Sequence, residues 1–280
     1  AHYWLSGLVA KEISNELNIP FVFTSHSLGV FLDGYNKERV DCEKIVMTSS
    51  NLVTTSSVFE TMLIGDTYKI DENKIKKIIP GVDKKIFIPD SSVEKENIIL
   101  SIGRIQKQKG QIQTLEFLNN FKKIEKDFKC YFIGGPSGKN GNEYLNELKQ
   151  SVEEFNLNTH VEFLDNLPQT EIIDLFKKAK LMIHTSQFET FGLVAIEANA
   201  MGVPVLTTNN GSLMEIIENN KNGYLSDSLL DGNVNNFVNN LFNDDAKYEE
   251  ISSSCIEKSK KYDWVKTTNE LESLYKQLVR

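Results

Sequence analysis

Residues 187–206 read QFETFGLVAIEANAMGVPVL and lie between two short apolar runs. The stretch has a helical pattern with three apolar residues on one face: Leu193, Ile196 and Ala200. Gly192 and Gly202 stand where such a helix would start and stop. The sequence therefore predicts a strand, a helix rich in small residues and a second strand, with a helix backbone that can approach its neighbours closely.

Two carboxylates in this stretch are unusual for their positions. Glu197 lies among apolar residues of the predicted helix, and a buried carboxylate needs partners. Glu189 comes just before the helix, where free backbone N–H groups and the helix dipole favour an anion, typically a phosphate. Two carboxylates beside an anion site suit a ligand that carries both phosphates and hydroxyls, as a nucleotide-sugar does.

The same stretch resembles the E-x7-E signature of the retaining glycosyltransferases of family 4, which have the GT-B fold. The shared pattern is Glu, Phe-Gly-Leu, Glu-Ala and a later Gly-x-Pro-Val. The resemblance implies that Glu189 contacts hydroxyls of the donor sugar and that Glu197 holds the ribose hydroxyls. It also implies that three backbone N–H groups meet the diphosphate and sugar: Phe191, Gly192 and Leu193. Without the resemblance, a helix cap and a satisfied core carboxylate would explain the two acids equally well.

A second motif follows a near-continuous apolar run at 97–103, which is typical of a buried parallel strand. Gly103, Arg104 and Lys109 lie where this strand gives way to a helix, a position that suits a phosphate. Arginine can clamp a phosphate with two hydrogen bonds, and lysine acts as a point charge. A basic loop alone is usually a solvated turn, but Arg-x4-Lys-Gly is the other hallmark of the family. We therefore predict that Arg104 and Lys109 bind the diphosphate and that Gly103 belongs to the same donor-binding loop.

The first part of the chain alternates strand-like and helical segments, which predicts a parallel sheet. Three pieces resemble the later half of the family's N-terminal domain: His-x-x-Leu-Ser-Gly at 2–7, Thr-x-His-Ser-Leu at 24–28 and Pro-Gly-Val-Asp at 80–83. Within them His26 ends a predicted strand, where open α/β sheets place ligands. A single histidine is more often structural, but the resemblance implies a catalytic His26 that faces the donor sugar. Tyr3 and Ser27 are candidates for the acceptor side, although Tyr3 could be a core aromatic.

The resemblance predicts an α/β fold of the GT-B type with two Rossmann-like parallel-sheet domains. Residues 1–92 form the C-terminal part of the acceptor-side domain, and 93–262 form the donor-binding domain. Residues 263–280 form a helix expected to cross back to the N-terminal domain, although packing on its own domain is nearly as compatible with the sequence. The family's leading strands and Gly-rich loop would precede the first residue, so we expect the N-terminal domain to be incomplete.

Composition places the chain among ordinary globular proteins, with 280 residues, 40% hydrophobic and 25% charged. A net charge of -8 argues against a nucleic-acid partner. The three cysteines are widely spaced and form no disulfide framework or metal motif, so a reducing cytoplasm is the simplest location. No apolar run approaches the ~20 residues of a membrane span. Peripheral membrane contact and the oligomeric state stay open.

Two further segments fit the same family. The run from Gly134 to Lys139 looks like a phosphate-binding P-loop, but the first glycine and the final Ser or Thr are missing, so we reject that reading. Family members with small polar acceptors often carry Gly-Gly-Pro-Ser-Gly here, at the mouth of the donor pocket. The resemblance places the nucleotide base near Leu164, held largely by backbone groups. Ser212 departs from the family, which commonly has a second glycine there.

The resemblance implies metal-independent sugar transfer with retention of configuration, without a cofactor. The chain has no Asp-x-Asp motif to hold a metal on the diphosphate, so we expect basic side chains to meet the leaving charge. The candidate catalytic residues are His26, Arg104, Lys109 and Glu189. The expected donor is a UDP-type sugar, and the acceptor a small sugar phosphate or inositol phosphate. Two alternatives stay open: a nucleotide-sugar-binding module without turnover, and a different enzyme of this fold, such as a phosphorylase or an epimerase.

Overall fold

A computed structural model describes residues 1–31 and 36–279. The chain divides into two compact units: 1–81 together with 262–280, and 82–261. The sequence had suggested boundaries after residues 92 and 262. The stretch after residue 81 belongs with the second unit, where Lys84 Nζ donates to the carbonyl of Lys260 at 3.0 Å. Val82 and Phe87 are buried as well.

The first unit is built on a three-stranded parallel sheet in the order β1-β2-β3. The strands are β1 (Val22–Thr24), β2 (Leu52–Thr55) and β3 (Ile75–Lys77). Helix α1 (Trp4–Leu17) precedes β1, α2 (Lys37–Ser49) connects β1 to β2, and α3 (Val58–Leu63) connects β2 to β3. Asn36 begins α2, because its side chain accepts from the Arg39 amide. The core contains Phe23, Val46, Val53, Ile64 and Tyr68.

The second unit is a six-stranded sheet with every pair of neighbours parallel, in the order β6-β5-β4-β7-β8-β9. The strands are β4 (Glu96–Ile102), β5 (Lys129–Ile133), β6 (Val161–Leu164), β7 (Ala179–His184), β8 (Val205–Thr208) and β9 (Gly223–Ser226). The helices are α4 (Gln111–Phe121), α5 (Gly141–Glu154), α6 (Gln169–Lys178), α7 (Leu193–Ala200), α8 (Leu213–Ile216), α9 (Gly232–Asn243) and α10 (Asp245–Ser259). The predicted strand, helix and strand around 187–206 are confirmed as β7, α7 and β8.

Strands β4 and β7 lie at the centre of this sheet. After β4 the chain adds β5 and β6 on one side, and after β6 it returns to place β7, β8 and β9 on the other. The order therefore reverses between β4 and β7, and open parallel sheets bind ligands beyond the carboxyl ends of strands at such a point. All of β7 is buried, as expected for a central strand covered on both faces.

The last helix, α11 (Trp264–Leu278), belongs to the first unit. Asp263 caps it by accepting from the Val265 amide at 2.8 Å, and Thr267 Oγ1 donates to the Ile79 carbonyl at 2.6 Å. These contacts attach the helix just beyond β3. Within the described ranges, none of the helices has the length and hydrophobicity needed to cross a membrane.

Candidate functional site

Two loops meet at the carboxyl ends of β4 and β7. The loop after β4 carries Lys109 and the loop after β7 begins at Thr185, whose Oγ1 donates to the Lys109 carbonyl at 3.0 Å. The Gln187 amide also donates to the Gln108 carbonyl at 2.8 Å. Gly110 has a φ of 66°, and a Cβ there would lie 2.2 Å from the Thr185 carbonyl oxygen. Only glycine therefore allows the two loops to approach this closely.

The two sequence motifs join in an ion pair. Lys109 Nζ lies 2.9 Å from Glu189 Oε2, although the two residues are 80 positions apart. The same oxygen lies 3.2 Å from Nε2 of His184, the last residue of β7. Glu189 Oε1 makes no hydrogen bond within residues 1–31 and 36–279. The carboxylate is therefore held through one oxygen, and the other is left for a ligand.

Glu189 is ionised. Burial raises the cost of charging its carboxyl, but the hydrogen bond and charge of His184, followed by those of Lys109, outweigh it. Together they lower the pKa of Glu189 to about 2. The site therefore contains a fixed acceptor of hydrogen bonds at neutral pH, as contacts to sugar hydroxyls require.

Glu197 lies in α7 and has the opposite electrostatic setting. Its carboxylate has no hydrogen-bond or ion-pair partner in the part of the chain that the structure describes. Burial without a partner raises the pKa of Glu197 to about 7. Two carboxyl groups of one short segment thus differ sharply in pKa, a pattern common in functional sites and also produced by structural ion pairs.

Arg104 is exposed at the end of β4. Its carbonyl accepts from Gln111 Nε2 at 2.8 Å, which ties the backbone of this loop to the first turn of α4. The guanidinium makes no hydrogen bond or ion pair to any described residue, so its donors are available. Gly103 precedes it on the same loop. No three His, Cys, Asp or Glu side chains of the described chain are grouped so that they could hold a metal ion.

The start of α7 completes this edge of the sheet. Gly192 precedes the helix with a φ of 86°, and no side chain caps the first turn. The Ser212 amide donates to the Glu189 carbonyl at 3.0 Å, which fixes the loop from the other side. Phe191, Ile196 and Ala200 are buried, but Leu193 is 39% exposed. The face that Leu193 was predicted to share with Ile196 and Ala200 is therefore buried at Ile196 and Ala200 but exposed at Leu193, in the first turn.

Leu164 lies at the same edge but apart from the Lys109–Glu189 pair. It ends β6, which is separated from β4 by β5. Its carbonyl accepts from the Gly134 amide at 3.1 Å. The structure thus places the residue predicted to lie near the nucleotide base along the edge from the ion pair, and not in contact with it.

In the first unit, Arg39 connects the two predicted acceptor-side residues. Its guanidinium donates to the Tyr3 hydroxyl at 3.0 Å and to Ser27 Oγ at 2.9 Å. It also pairs with Glu43 at 2.7 Å, and both side chains are buried. Tyr3 therefore lies in a polar cluster with a buried arginine, and its ring also lies against the guanidinium, 4.9 Å away.

His26 lies just after β1 in a strained backbone conformation, with a φ of 58°. Its Nε2 lies 2.8 Å from Nδ1 of His2, and the two rings stack at 5.0 Å. Burial lowers the pKa of His2, and the adjacent His26 acts in the same direction. Both histidines border a cavity of about 220 Å³ that Trp264 and Tyr275 also line. The first unit thus has a cavity at the carboxyl ends of its strands, next to the predicted catalytic histidine.

Three residues of these clusters were missed at the level of sequence: His184, Arg39 and Glu43. His184 was not singled out, although a histidine directly after the three apolar residues at 181–183 was a visible signal. Arg39 and Glu43 have the spacing of a helical ion pair, which usually indicates an exposed helix face. The structure shows instead that the Arg39–Glu43 and His184–Glu189 contacts are buried or half-buried and lie beside or include predicted site residues.

The comparisons with known proteins agree with this geometry. The family model described as "Glycosyl transferases group 1" matches residues 83–262. The chain belongs to this family of glycosyltransferases, and its fold is of the GT-B type. This confirms the family and fold that the two motifs predicted.

Relatives and solved structures match over nearly the whole chain. D-inositol 3-phosphate glycosyltransferase of Corynebacterium urealyticum is 28% identical over 99% of this chain and 70% of its own length. Mannosylfructose-phosphate synthase of Agrobacterium fabrum is 26% identical over 81% of this chain and 56% of its own. Sucrose-phosphate synthase from Thermosynechococcus elongatus superposes with a TM-score of 0.85 at 25% identity, over 99% of this chain and 72% of its own. Anabaena HepE with UDP and glucose superposes with a TM-score of 0.87 at 21% identity, over 98% of this chain and 76% of its own length.

Proposed function

We propose that this chain is a retaining glycosyltransferase that moves a sugar from a UDP-sugar to a hydroxyl group of a phosphorylated sugar or polyol. The observation that carries the proposal is the Lys109–Glu189 ion pair. It unites the two sequence motifs at the carboxyl ends of neighbouring strands, where the strand order of the sheet reverses. A cation and an ionised carboxylate on two tied loops suit a ligand with a diphosphate next to a sugar.

On the donor side, Arg104 and Lys109 bind the diphosphate together with backbone amides at the start of α7. Glu189 accepts from the sugar hydroxyls through Oε1, and Glu197 accepts from the ribose hydroxyls. The exposed guanidinium of Arg104 supports the first assignment, and the unpaired carboxylate of Glu197 supports the last. The structures of HepE with UDP and with UDP-glucose support a UDP-sugar as the donor.

In the reaction, the bond between the anomeric carbon and the leaving phosphate oxygen breaks, and a bond to the acceptor oxygen forms on the same face. The acceptor proton passes to the leaving phosphate oxygen. Negative charge grows on the diphosphate, and we assign its stabilisation to Arg104, Lys109 and the α7 amides. Glu189 orients the sugar and does not attack it.

A phosphorylated acceptor is supported by the names of two relatives. D-inositol 3-phosphate glycosyltransferase and mannosylfructose-phosphate synthase act on or produce phosphorylated compounds, as those names state. In the first unit, Arg39 holds the Tyr3 and Ser27 hydroxyl groups in place, while its own charge is paired with buried Glu43. We therefore assign the acceptor to the neighbourhood of Tyr3 and Ser27, and Arg39 positions those two side chains.

The proposal is tested by incubating the chain with UDP-glucose and a panel of phosphorylated acceptors that includes D-inositol 3-phosphate. Each acceptor is paired with its unphosphorylated form. We expect UDP release and a glycosylated product only with a phosphorylated acceptor, and NMR of the product should show the donor's anomeric configuration. Inverted product would contradict retention. Donor binding without UDP release or product would instead support a binding module.

Glu197 gives a test through pH. If the ribose hydroxyls donate to an ionised Glu197, binding below pH 7 must first remove a proton from this group, whose pKa is about 7. UDP-glucose affinity should therefore rise with pH up to about 7, by at most tenfold per pH unit, and level off above it. UDP-glucose suits this test because its diphosphate diester has no proton to lose in this range. Calorimetric titrations from pH 5.5 to 8.5 measure the profile.

The matched variants are Glu197→Gln and Glu147→Gln. Glu197→Gln should bind more weakly and lose the pH dependence. Because the folded pKa of Glu197 is raised, its ionisation destabilises the unliganded fold increasingly from about pH 4.5 to 7 and fully above that. Glu197→Gln should therefore melt at a higher temperature than the parent at pH 8. Glu147→Gln changes an exposed ion pair and should alter neither property. A pH profile that persists in Glu197→Gln would contradict the assignment.

A further inference from the structure

His184 is a buried histidine in contact with the proposed sugar-binding carboxylate. It ends β7, the fully buried central strand, and its side chain is 6% exposed. Its Nε2 donates to Glu189 Oε2 at 3.2 Å, the oxygen that also accepts from Lys109 at 2.9 Å. Both donors thus act on one oxygen and fix the rotation of the carboxylate, while Oε1 is left without a partner among the described residues.

The two donors differ in how firmly they are held. Lys109 reaches Glu189 with a flexible four-carbon chain, and an arriving diphosphate attracts the same ammonium group. His184 has a rigid ring on a buried strand and no comparable competitor, since an imidazole N–H at this depth stays with the carboxylate it already faces. When Lys109 shares its charge with a diphosphate, His184 is the contact that keeps Glu189 in place.

We propose that His184 is a positioning residue that orients Glu189 toward the donor sugar. This inference rests on the proposed function, because it assigns a role within the same donor site. His184 does not touch the donor and acts only through Glu189. It therefore makes the recognition of the sugar, and not of the nucleotide, depend on a histidine.

A purely structural role for His184 is less consistent with the surrounding contacts. The loop after β7 is already tied by the Thr185 hydroxyl to the Lys109 carbonyl and by the Gln187 amide to the Gln108 carbonyl. These contacts do not involve the imidazole. The loop should therefore keep its backbone conformation when the His184 imidazole is replaced, whereas Glu189 loses its rigidly held hydrogen-bond donor.

The test compares three variants of the whole chain: His184→Leu, His184→Gln and the control His160→Leu. His160 is also in the second unit, and its ring bonds to the Lys126 carbonyl, away from Glu189. Calorimetry gives the dissociation constants for UDP and UDP-glucose, and the measured quantity is their ratio. We expect His184→Leu to shift this ratio about tenfold against UDP-glucose, with UDP affinity unchanged within about threefold, as for the loss of one hydrogen bond to a charged group.

Glutamine can place an amide N–H near the position of Nε2, so His184→Gln should recover most of the ratio. His160→Leu should leave it unchanged. Provided that the parent chain binds UDP, two results would overturn the inference. One is an unchanged ratio in a folded His184→Leu, and the other is an equal loss of UDP and UDP-glucose affinity in both His184 variants. Failure of the parent chain to bind UDP would overturn the proposed function itself and this inference with it. Thermal unfolding of each variant shows whether it is folded. If His184→Leu is not folded, His184→Phe, which keeps a ring but has no N–H donor, is measured in its place and must show the same shift in the ratio.

Discussion

Replacing Glu189 with glutamine should lower the rate of sugar transfer by about 10²–10³-fold, equivalent to ~2.7–4 kcal/mol of barrier. Glutamine has nearly the same shape, but it removes the negative charge that Lys109 and His184 stabilise. The sugar then loses an ionised acceptor at Oε1. Because the nucleotide contacts lie on other residues, UDP should bind nearly as before. The initial rate of UDP release from UDP-glucose measures the effect on transfer. Calorimetry with UDP measures the effect on nucleotide binding.

Glu147→Gln is the matched control for this variant. Glu147 pairs with Lys107 at 3.2 Å, and both side chains are about half exposed, so this surface pair contributes little. Its loss should leave rate and affinity unchanged. If Glu189→Gln loses UDP affinity as strongly as rate, Glu189 acts on the nucleotide or on the fold, and its assignment to the sugar is wrong.

Replacing Lys109 with methionine should weaken UDP binding about 10- to 100-fold, because one charge-assisted hydrogen bond is worth ~1.5–3 kcal/mol. Methionine keeps much of the length of the side chain and removes the ammonium group. Transfer should fall further than binding, since the diphosphate gains charge as it leaves. The loss of Lys109 also removes one of the causes that keep the pKa of Glu189 low. Calorimetry with UDP and single-turnover rates with UDP-glucose separate binding from chemistry.

Lys107→Met gives the same change of charge two positions away. Lys107 lies on the same short helical turn, but its ammonium group points to exposed Glu147 instead of Glu189. A general loss of positive charge would weaken UDP equally in both variants. A large effect of Lys109→Met alone supports a direct contact, and equal effects would show that Lys109 has no special place at the diphosphate.

The sequence predicted the elements of the second unit well because their physical signals are local. The apolar run at 97–103 became β4 (Glu96–Ile102), since a strand covered on both faces must be apolar throughout. The glycines around 187–206 marked the ends of α7, and Gly192 indeed adopts a left-handed conformation there. Local composition is enough for such predictions because each signal acts within a few residues.

The contacts of the site could not be predicted in the same way. Lys109 and Glu189 meet only because β4 and β7 are neighbours in the sheet. The order of the strands cannot be predicted from the local sequence of either segment. The role of His184 depends on which way the last side chain of β7 points, which the apolar residues before it do not reveal. Leu193 fits the periodicity of a buried face but is exposed, because periodicity does not say where along a helix the covering layer ends.

The most direct test of the donor-site assignment is a crystal structure of this chain with UDP-glucose. We expect the diphosphate to contact Arg104 and Lys109, the glucose hydroxyls to donate to Glu189 and the ribose hydroxyls to donate to Glu197. His184 should still hold Glu189 Oε2 in that complex. A nucleotide bound away from the carboxyl ends of β4 and β7, with neither Lys109 nor Glu189 in contact with it, would contradict the account.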